Sequence, residues 1–183
     1  MKKFTFISMM SVAAFSFCLM QGCGKDDDTQ ANTTPNNTVP TQVEGYVNLG
    51  LPSGTLWKEQ NETNEEVAGY DYWTYDAAMA LFGNQLPTKE QYDELRNNCQ
   101  WTKIEGGYEV KGTNGNTIVF PAAGGGNLNH EVEGVGTLGR YWTSSPSGSA
   151  DAWYFAFFLE NENILVGSGD RRYGDAVRLV YSN

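Results

Sequence analysis

The residues that could do chemistry in this chain begin with a glycine-rich stretch. Gly134-Val-Gly-Thr-Leu-Gly139 has the G-x-G-x-x-G spacing of a dinucleotide-binding loop. Such a loop binds pyrophosphate only where it follows a strand and opens a helix, because the phosphate lies at the helix N-terminus. Here a polar segment precedes the glycines and an aromatic strand pattern follows them. We therefore interpret the stretch as a surface loop, and we expect no cofactor.

Groups for nucleophilic, acid–base or metal chemistry are sparse. The Glu160-Asn-Glu-Asn163 stretch offers four oxygen side chains, which suit either calcium or, as we favour, a solvated hairpin tip. His130 is the single histidine, so a His-rich metal site is excluded. Cys99 is either a reactive thiol or a small buried apolar residue, and we favour the second. No pair of acids has positions that force a raised pKa. The sequence therefore predicts a protein that is not an enzyme and binds no metal.

Arginines and one tryptophan are the best candidates for holding a ligand. Arg171, Arg172 and Tyr173 follow one another in a predicted loop, where they could grip an anionic or planar group. Trp73 also has loop-like neighbours, so we expect it to be exposed and able to stack on a sugar ring. Arg178 lies instead on an apolar strand pattern, and for it we favour a structural ion pair over ligand binding.

The N-terminus has the pattern of an export signal. Lys2 and Lys3 precede a short apolar run, and a glycine then precedes Cys23. This arrangement resembles the lipobox of bacterial lipoproteins, which implies that residues 1–22 are a lipoprotein signal peptide and that Cys23 carries the lipid. Residues 23–43 are polar and predict a disordered tether. The acids after Cys23 resemble the surface-export signal of Bacteroidota lipoproteins, so we expect a lipid-anchored protein exposed at the outer membrane.

Charge limits the partners of this protein. The chain of 183 residues has a formal net charge of −10. Nucleic acids and anionic membrane surfaces both attract basic proteins. We therefore expect no nucleic-acid partner, and membrane attachment through acyl chains alone.

The elements that must position these side chains centre on one aromatic strand. Residues 152–159 are apolar on both alternating faces, which predicts a central strand covered on both sides. Apolar residues at helical spacing predict a first helix over residues 75–82. A capping-box pattern from Thr88 to Gln91 predicts a second helix that runs to about Asn98. Strand patterns precede and follow this pair, so the order indicates an α+β domain over residues 44–183 with antiparallel sheets.

One turn and two loops complete the expected domain. Asn114-Gly115 separates two strand patterns and predicts a tight type I′ hairpin turn. Residues 121–138 form a long glycine-rich loop, and residues 167–174 form a second loop before a last strand at 176–181.

Five motifs in this order resemble a known family. They are Tyr46-Val-Asn-Leu-Gly-Leu-Pro-Ser-Gly-Thr-Leu-Trp57, Leu86-Pro-Thr-Lys-Glu-Gln-Tyr-Asp-Glu-Leu95, Phe120-Pro-Ala-Ala-Gly124, Tyr141-Trp-Thr-Ser-Ser145 and Ala176-Val-Arg-Leu-Val180. Together they resemble the Fibrobacter succinogenes major paralogous domain of Bacteroidota and Fibrobacterota surface proteins. That family is similar to the C-type lectin-like fold and, more distantly, to the formylglycine-generating enzyme. The resemblance implies two helices packed on small twisted antiparallel sheets, with the first and last strands close together.

The resemblance and the residues together favour a non-catalytic binding module. The enzyme branch relies on reactive cysteines, and only Cys99 remains here. The Glu-Pro-Asn, Gln-Pro-Asp and Trp-Asn-Asp motifs of calcium-dependent lectins are absent from the sequence. We expect a glycan or protein ligand to meet the loops at 121–138 and 167–174. The alternative is a structural or assembly subunit of a surface complex.

Overall fold

The computed structural model describes residues 42–64, 71–129 and 131–182, and they form an α+β structure. Its elements are β1 (Tyr46–Asn48), β2 (Leu56–Lys58), α1 (Tyr75–Phe82), α2 (Lys89–Asn98), β3 (Gln100–Ile104), β4 (Gly107–Lys111), β5 (Thr117–Pro121), β6 (Gly125–Gly126), β7 (Val132–Glu133), β8 (Leu138–Pro146), β9 (Asp151–Phe158), β10 (Asn163–Asp170) and β11 (Val180–Tyr181). A 3₁₀ turn, Gly83–Gln85, follows α1. The predicted signal peptide, Cys23, most of the tether and His130 lie outside the described residues. Among those residues, no helix is long and apolar enough to cross a membrane.

Both helices begin at a threonine cap, and the cap of α2 is the one that the sequence predicts. The Thr74 hydroxyl accepts a hydrogen bond from the amide of Ala77 at the start of α1. At α2, the Thr88 hydroxyl accepts from the Gln91 amide, and the Gln91 side chain accepts from the Thr88 amide. These reciprocal bonds satisfy amides that have no partner inside the helix. The predicted bounds of both helices are confirmed.

Strand β9 is the middle strand of the sheet β10-β9-β8, and both of its neighbours are antiparallel. Phe155 and Phe157 on one face join a core with α2 and the sheet β3-β4-β5. Ala152 on the other face joins a second core with α1 and Trp142. The prediction of a strand covered on both faces is confirmed. Strands β8 and β9 therefore carry the two layers of the core.

The last predicted strand is shorter than expected. Only Val180 and Tyr181 form a ladder, in which they pair with β2, and β1 lies on the other side of β2. Asp175 and Ala176 instead make isolated bridges to Trp73 and Tyr141. The chain changes partner within a few residues, so a continuous strand over 176–181 cannot form. This change of partner ties the C-terminal segment to three separate parts of the fold.

The hairpin between β4 and β5 has a different turn from the one predicted. Its loop spans residues 112–116, and Gly115 has φ +90° while Asn114 is not in the positive-φ region. A type I′ turn needs positive φ at both central residues, so that turn is absent here. The side chains of Asn114 and Asn116 both donate hydrogen bonds to the Asn48 carbonyl. These hydrogen bonds to β1 thus stabilise a five-residue loop in place of the predicted two-residue turn.

Candidate functional site

The two loops that we expect to meet a ligand lie against each other. Gly126 and Gly174 form an antiparallel bridge, in which the Gly126 amide donates to the Gly174 carbonyl at 2.5 Å. A Cβ atom added to Gly126 would lie 3.2 Å from the backbone of Gly174, so the close approach favours glycine. The 121–138 loop also forms its own small hairpin from β6 and β7. The second predicted loop is shorter than expected, because β10 extends to Asp170 and only residues 171–174 lie outside a strand. The structure shows that this turn contacts the 121–138 loop.

A cavity of about 170 Å³ lies between these loops. We call it the Arg140 pocket, and its lining residues are Gly125, Gly126, Asn127, Glu133, Leu138, Arg140 and Tyr173. Arg140 comes from β8, and a Cβ atom at Gly125 would lie 2.8 Å from its guanidinium. The absence of a side chain at Gly125 therefore makes room for the arginine.

The Arg140 guanidinium is held rigidly but keeps one nitrogen unengaged. Its Nε donates to the Asp175 carboxylate, and its Nη2 donates to the Gly126 carbonyl at 2.8 Å. The tyrosine rings of 154 and 173 lie 5.8 and 5.1 Å from the guanidinium carbon, which is cation–π distance. No described residue accepts a hydrogen bond from Nη1, and the side chain is 19% exposed. A fixed donor of this kind can bind an oxygen atom of a ligand.

Asp175 is the buried counter-charge of Arg140. The residue is fully buried, and its Oδ2 atom has no hydrogen-bond partner among the described residues. Burial raises the pKa of Asp175 to about 6, and the nearby Arg140 charge only partly opposes that effect. The carboxylate thus orients the arginine from the side away from solvent.

The rim of the Arg140 pocket is acidic, and hydrogen bonds join its side chains. The Asn127 side chain donates to Glu131 at 3.0 Å and to Glu133 Oε1 at 2.9 Å. The side-chain oxygen Oδ1 of Asn127 accepts hydrogen bonds from the backbone amides of Asn129 and Glu131. Glu133 is exposed, and no described residue donates to its Oε2. The rim therefore offers a carboxylate oxygen as an acceptor in the pocket that Arg140 also lines.

Tyr173 is the one predicted ligand-binding residue that lines this pocket. Arg171 instead pairs with Asp76 on α1 at 3.0 Å and lies over the Tyr75 ring. Arg172 is largely exposed and bonds to Asp170. Both arginines thus have intramolecular partners outside the Arg140 pocket.

The expectation that Trp73 is exposed is wrong. The residue is 5% exposed, and its ring lies 5.5 Å from the Phe82 ring. Its backbone forms a bridge to Asp175, and its carbonyl accepts from the Trp142 indole at 2.7 Å. A bridge between distant segments buries this tryptophan, although its sequence neighbours are typical of a loop.

Arg178 is structural, but its partners are not the expected carboxylate. Its side chain is buried and donates to four neutral oxygens. They are the carbonyls of Lys58, Glu59 and Val119 and the side-chain oxygen of Asn61, at 2.7 to 2.9 Å. Within the described residues, hydrogen bonds therefore replace the predicted ion pair.

Sequence reasoning missed Arg140 and Asp175. Arg140 lies two residues before Trp142 and therefore on the same face of an aromatic strand. A charged side chain on such a face needs a partner. Asp175 directly precedes the apolar residues Ala176 and Val177. Each residue alone signals a buried charge, but only the fold shows that the two meet.

A second cavity of about 690 Å³ is a weaker candidate. Its lining includes Glu62, Asp71 and Arg178. The Arg178 side chain is already bonded to the protein, Glu62 pairs with Lys58, and Asp71 accepts from the Asn64 amide. This cavity therefore leaves fewer groups available to a ligand than its size suggests.

Two other candidates have ordinary structural roles. Burial raises the pKa of the Cys99 thiol to about 11, with a smaller effect from Glu94, so the thiol is protonated at neutral pH and is a poor nucleophile. The segment from Glu160 to Glu162 forms the exposed turn between β9 and β10. Across the described residues, no group of three or more His, Cys, Asp or Glu side chains could hold a metal.

The fold and pocket define a small α+β protein with a polar cavity between two loops. Comparison of the chain with protein-family models, curated proteins and solved structures gives no match.

Proposed function

We propose that this protein is a non-catalytic binding module, held at the outer bacterial surface by a lipid on Cys23. Its ligand is a glycan or a protein, which binds at the Arg140 pocket. The observation that carries this proposal is the Nη1 atom of Arg140, which lies at a cavity between the two loops and donates to no other described residue. A preorganised donor beside an aromatic ring is the usual composition of a binding site.

The proposed fold is C-type lectin-like, as the resemblance to the major paralogous domain implies. The two helices, the small antiparallel sheets and the pairing of β11 beside β1 and β2 are consistent with it. The raised pKa of Cys99 supports the absence of thiol chemistry.

Binding should depend on Tyr173 but not on its neighbour Arg172. We expect Tyr173→Ala in the full-length protein to weaken binding by about tenfold or more, because the variant loses ring contact with the ligand and with Arg140. The assay is a glycan array together with a pull-down from outer-membrane extract, and the affinity of each captured ligand is then measured.

Arg172→Ala is the matched control, since Arg172 adjoins Tyr173 but does not line the pocket. Circular dichroism melting shows whether both variants remain folded. Equal affinity of wild type and Tyr173→Ala, with both folded, would contradict binding at this pocket.

The anchor is tested separately from the pocket. We expect palmitate to label the wild-type protein and the Cys99→Ala variant in the native host, and Cys23→Ala to be unlabelled and absent from the membrane fraction. Several acyl chains give stable attachment because each buried CH₂ contributes about 0.8 kcal/mol. A wild-type protein that takes up no palmitate would end the lipoprotein proposal.

A second candidate function is assembly into a larger surface complex. Two apolar residues of the 121–138 loop are exposed, Leu128 at 47% and Val135 at 66%. Contact of these two side chains with another protein would bury their apolar surface. Capture of an outer-membrane protein that depends on Val135 and not on Tyr173 would favour this function.

A further inference from the structure

We infer that the Arg140 pocket binds a neutral sugar residue at the end of a glycan, in preference to an acidic or a basic group. This inference rests on the proposed function and deepens it. It follows from the charges, the hydrogen-bonding groups and the size of the pocket.

The charges around the pocket disfavour ions of either sign. Asp175 already balances the Arg140 charge from the buried side. Glu133 lines the pocket, and Glu131 adjoins it through Asn127. An acidic ligand therefore meets more carboxylates than guanidinium groups, on a chain whose net charge is −10. A basic group meets the rigid Arg140 instead, so a neutral ligand has the smallest electrostatic cost.

The hydrogen-bonding groups suit a hydroxyl-bearing ligand. Arg140 Nη1 can only donate, and Glu133 Oε2 can only accept while it is ionised. A hydroxyl group both donates and accepts, so neighbouring hydroxyls of one sugar can satisfy both side chains. The Tyr173 ring beside Arg140 adds an apolar surface for the C–H face of the sugar.

The size of the pocket limits the ligand to one residue of a chain. Its volume of about 170 Å³ is below the roughly 300 Å³ at which pockets for whole small molecules begin. Only a terminal residue can enter such a cavity, and the remainder of the glycan must lie outside it. The surface available to the rest of the chain is the rim of the 121–138 loop.

The test is a microarray of oligosaccharides that differ only in the terminal residue. The termini are neutral hexoses, N-acetylhexosamines, uronic acids, sialic acid and unacetylated hexosamine. The full-length wild type is compared with Glu133→Gln and with Glu105→Gln, in which the same charge is removed from an exposed turn between β3 and β4. Affinities for the retained glycans are then measured in solution.

We expect wild-type protein to retain glycans with neutral termini. Glu133→Gln should weaken that binding by about tenfold, as for loss of a charge-assisted hydrogen bond. The same variant should improve the relative binding of acidic termini, because a repelling carboxylate is removed. Glu105→Gln should leave the binding of neutral and of acidic termini unchanged, which distinguishes a local effect of Glu133 from a change in net charge.

Two results would overturn the inference without touching the proposed function. One is stronger wild-type binding of acidic or basic termini that Tyr173→Ala abolishes. The other is retention of a protein, and of no glycan, through Tyr173. If neutral glycans bind but Tyr173→Ala and Glu133→Gln do not change their affinity, the ligand binds outside the Arg140 pocket. Both proposals then fail.

Discussion

Replacement of Arg178 by methionine should lower the free energy of unfolding by about 3 kcal/mol. The guanidinium donates four hydrogen bonds that join the end of β2, Asn61 and β5. Methionine retains much of the apolar stem but has no donor. The carbonyls of Lys58, Glu59 and Val119 then lose a charged partner, and each such loss costs on the order of 1 kcal/mol or more. Urea denaturation measures the change.

Arg172→Met is the matched control for this variant. Arg172 is 74% exposed, and among the described residues its side chain bonds to Asp170 alone, so its loss should leave the unfolding transition almost unchanged. Arg178→Lys should recover only part of the lost stability, since one ammonium group cannot reach all four oxygens at once. A loss below about 1 kcal/mol in Arg178→Met would contradict the structural role of this arginine.

Loss of the Asp175 proton should make the protein less stable as the pH rises from about 4 to about 6. The folded-state pKa is about 6 because of burial, above the ordinary value of 3.8. Between these values the folded state keeps a proton that the unfolded state has released, so the free energy of unfolding falls with rising pH. The two pKa values differ by about 2, and each pKa unit corresponds to about 1.4 kcal/mol, so the fall approaches roughly 3 kcal/mol. Thermal unfolding over this pH range measures it.

Asp175→Asn isolates this contribution. Asparagine keeps an oxygen for the Arg140 Nε but does not titrate, so the fall between pH 4 and 6 should disappear. Asp151→Asn is the control: it changes an exposed aspartate on β9, and the fall in stability between pH 4 and 6 should remain. Asp170, whose pKa Arg172 lowers to about 2, acts at lower pH, where its contribution to stability is lost as the pH falls. An unchanged pH profile in Asp175→Asn would show that Asp175 does not titrate in this range.

The elements that could be predicted are those with local causes. The capping box from Thr88 to Gln91 determines where α2 begins, and this signal lies in four consecutive residues. The apolar pattern of β9 shows that both of its faces are covered, whatever covers them. Helix and central-strand predictions succeed because their information lies in adjacent residues.

The failed predictions depend on distant contacts. Trp73 is buried by a bridge to Asp175, and the loop at Asn114 is widened by contacts with Asn48. The partners of Arg178 include three backbone carbonyls, and a carbonyl has no signature in the sequence. Side-chain types alone therefore suggested a carboxylate partner.

The candidate site could be predicted only in part. The glycine-rich 121–138 loop and the turn that holds Tyr173 could be predicted, but residues 167–170 extend β10 instead. The pocket also needs Arg140 on β8 and Glu133 on β7. Their proximity arises from the Gly126–Gly174 bridge, which joins segments almost fifty residues apart. No local pattern encodes that contact.

The most direct test of the Arg140 pocket is a map of the residues that respond to a ligand. Isotope-labelled full-length protein is titrated with the glycan or protein that the screens retain, and backbone amide shifts are followed by nuclear magnetic resonance. We predict that the largest changes fall on Gly125, Gly126, Tyr173 and Gly174, and that they saturate at one affinity. Saturable changes centred instead on residues that line the second cavity, such as Thr117 and Asp71, would contradict the proposed site.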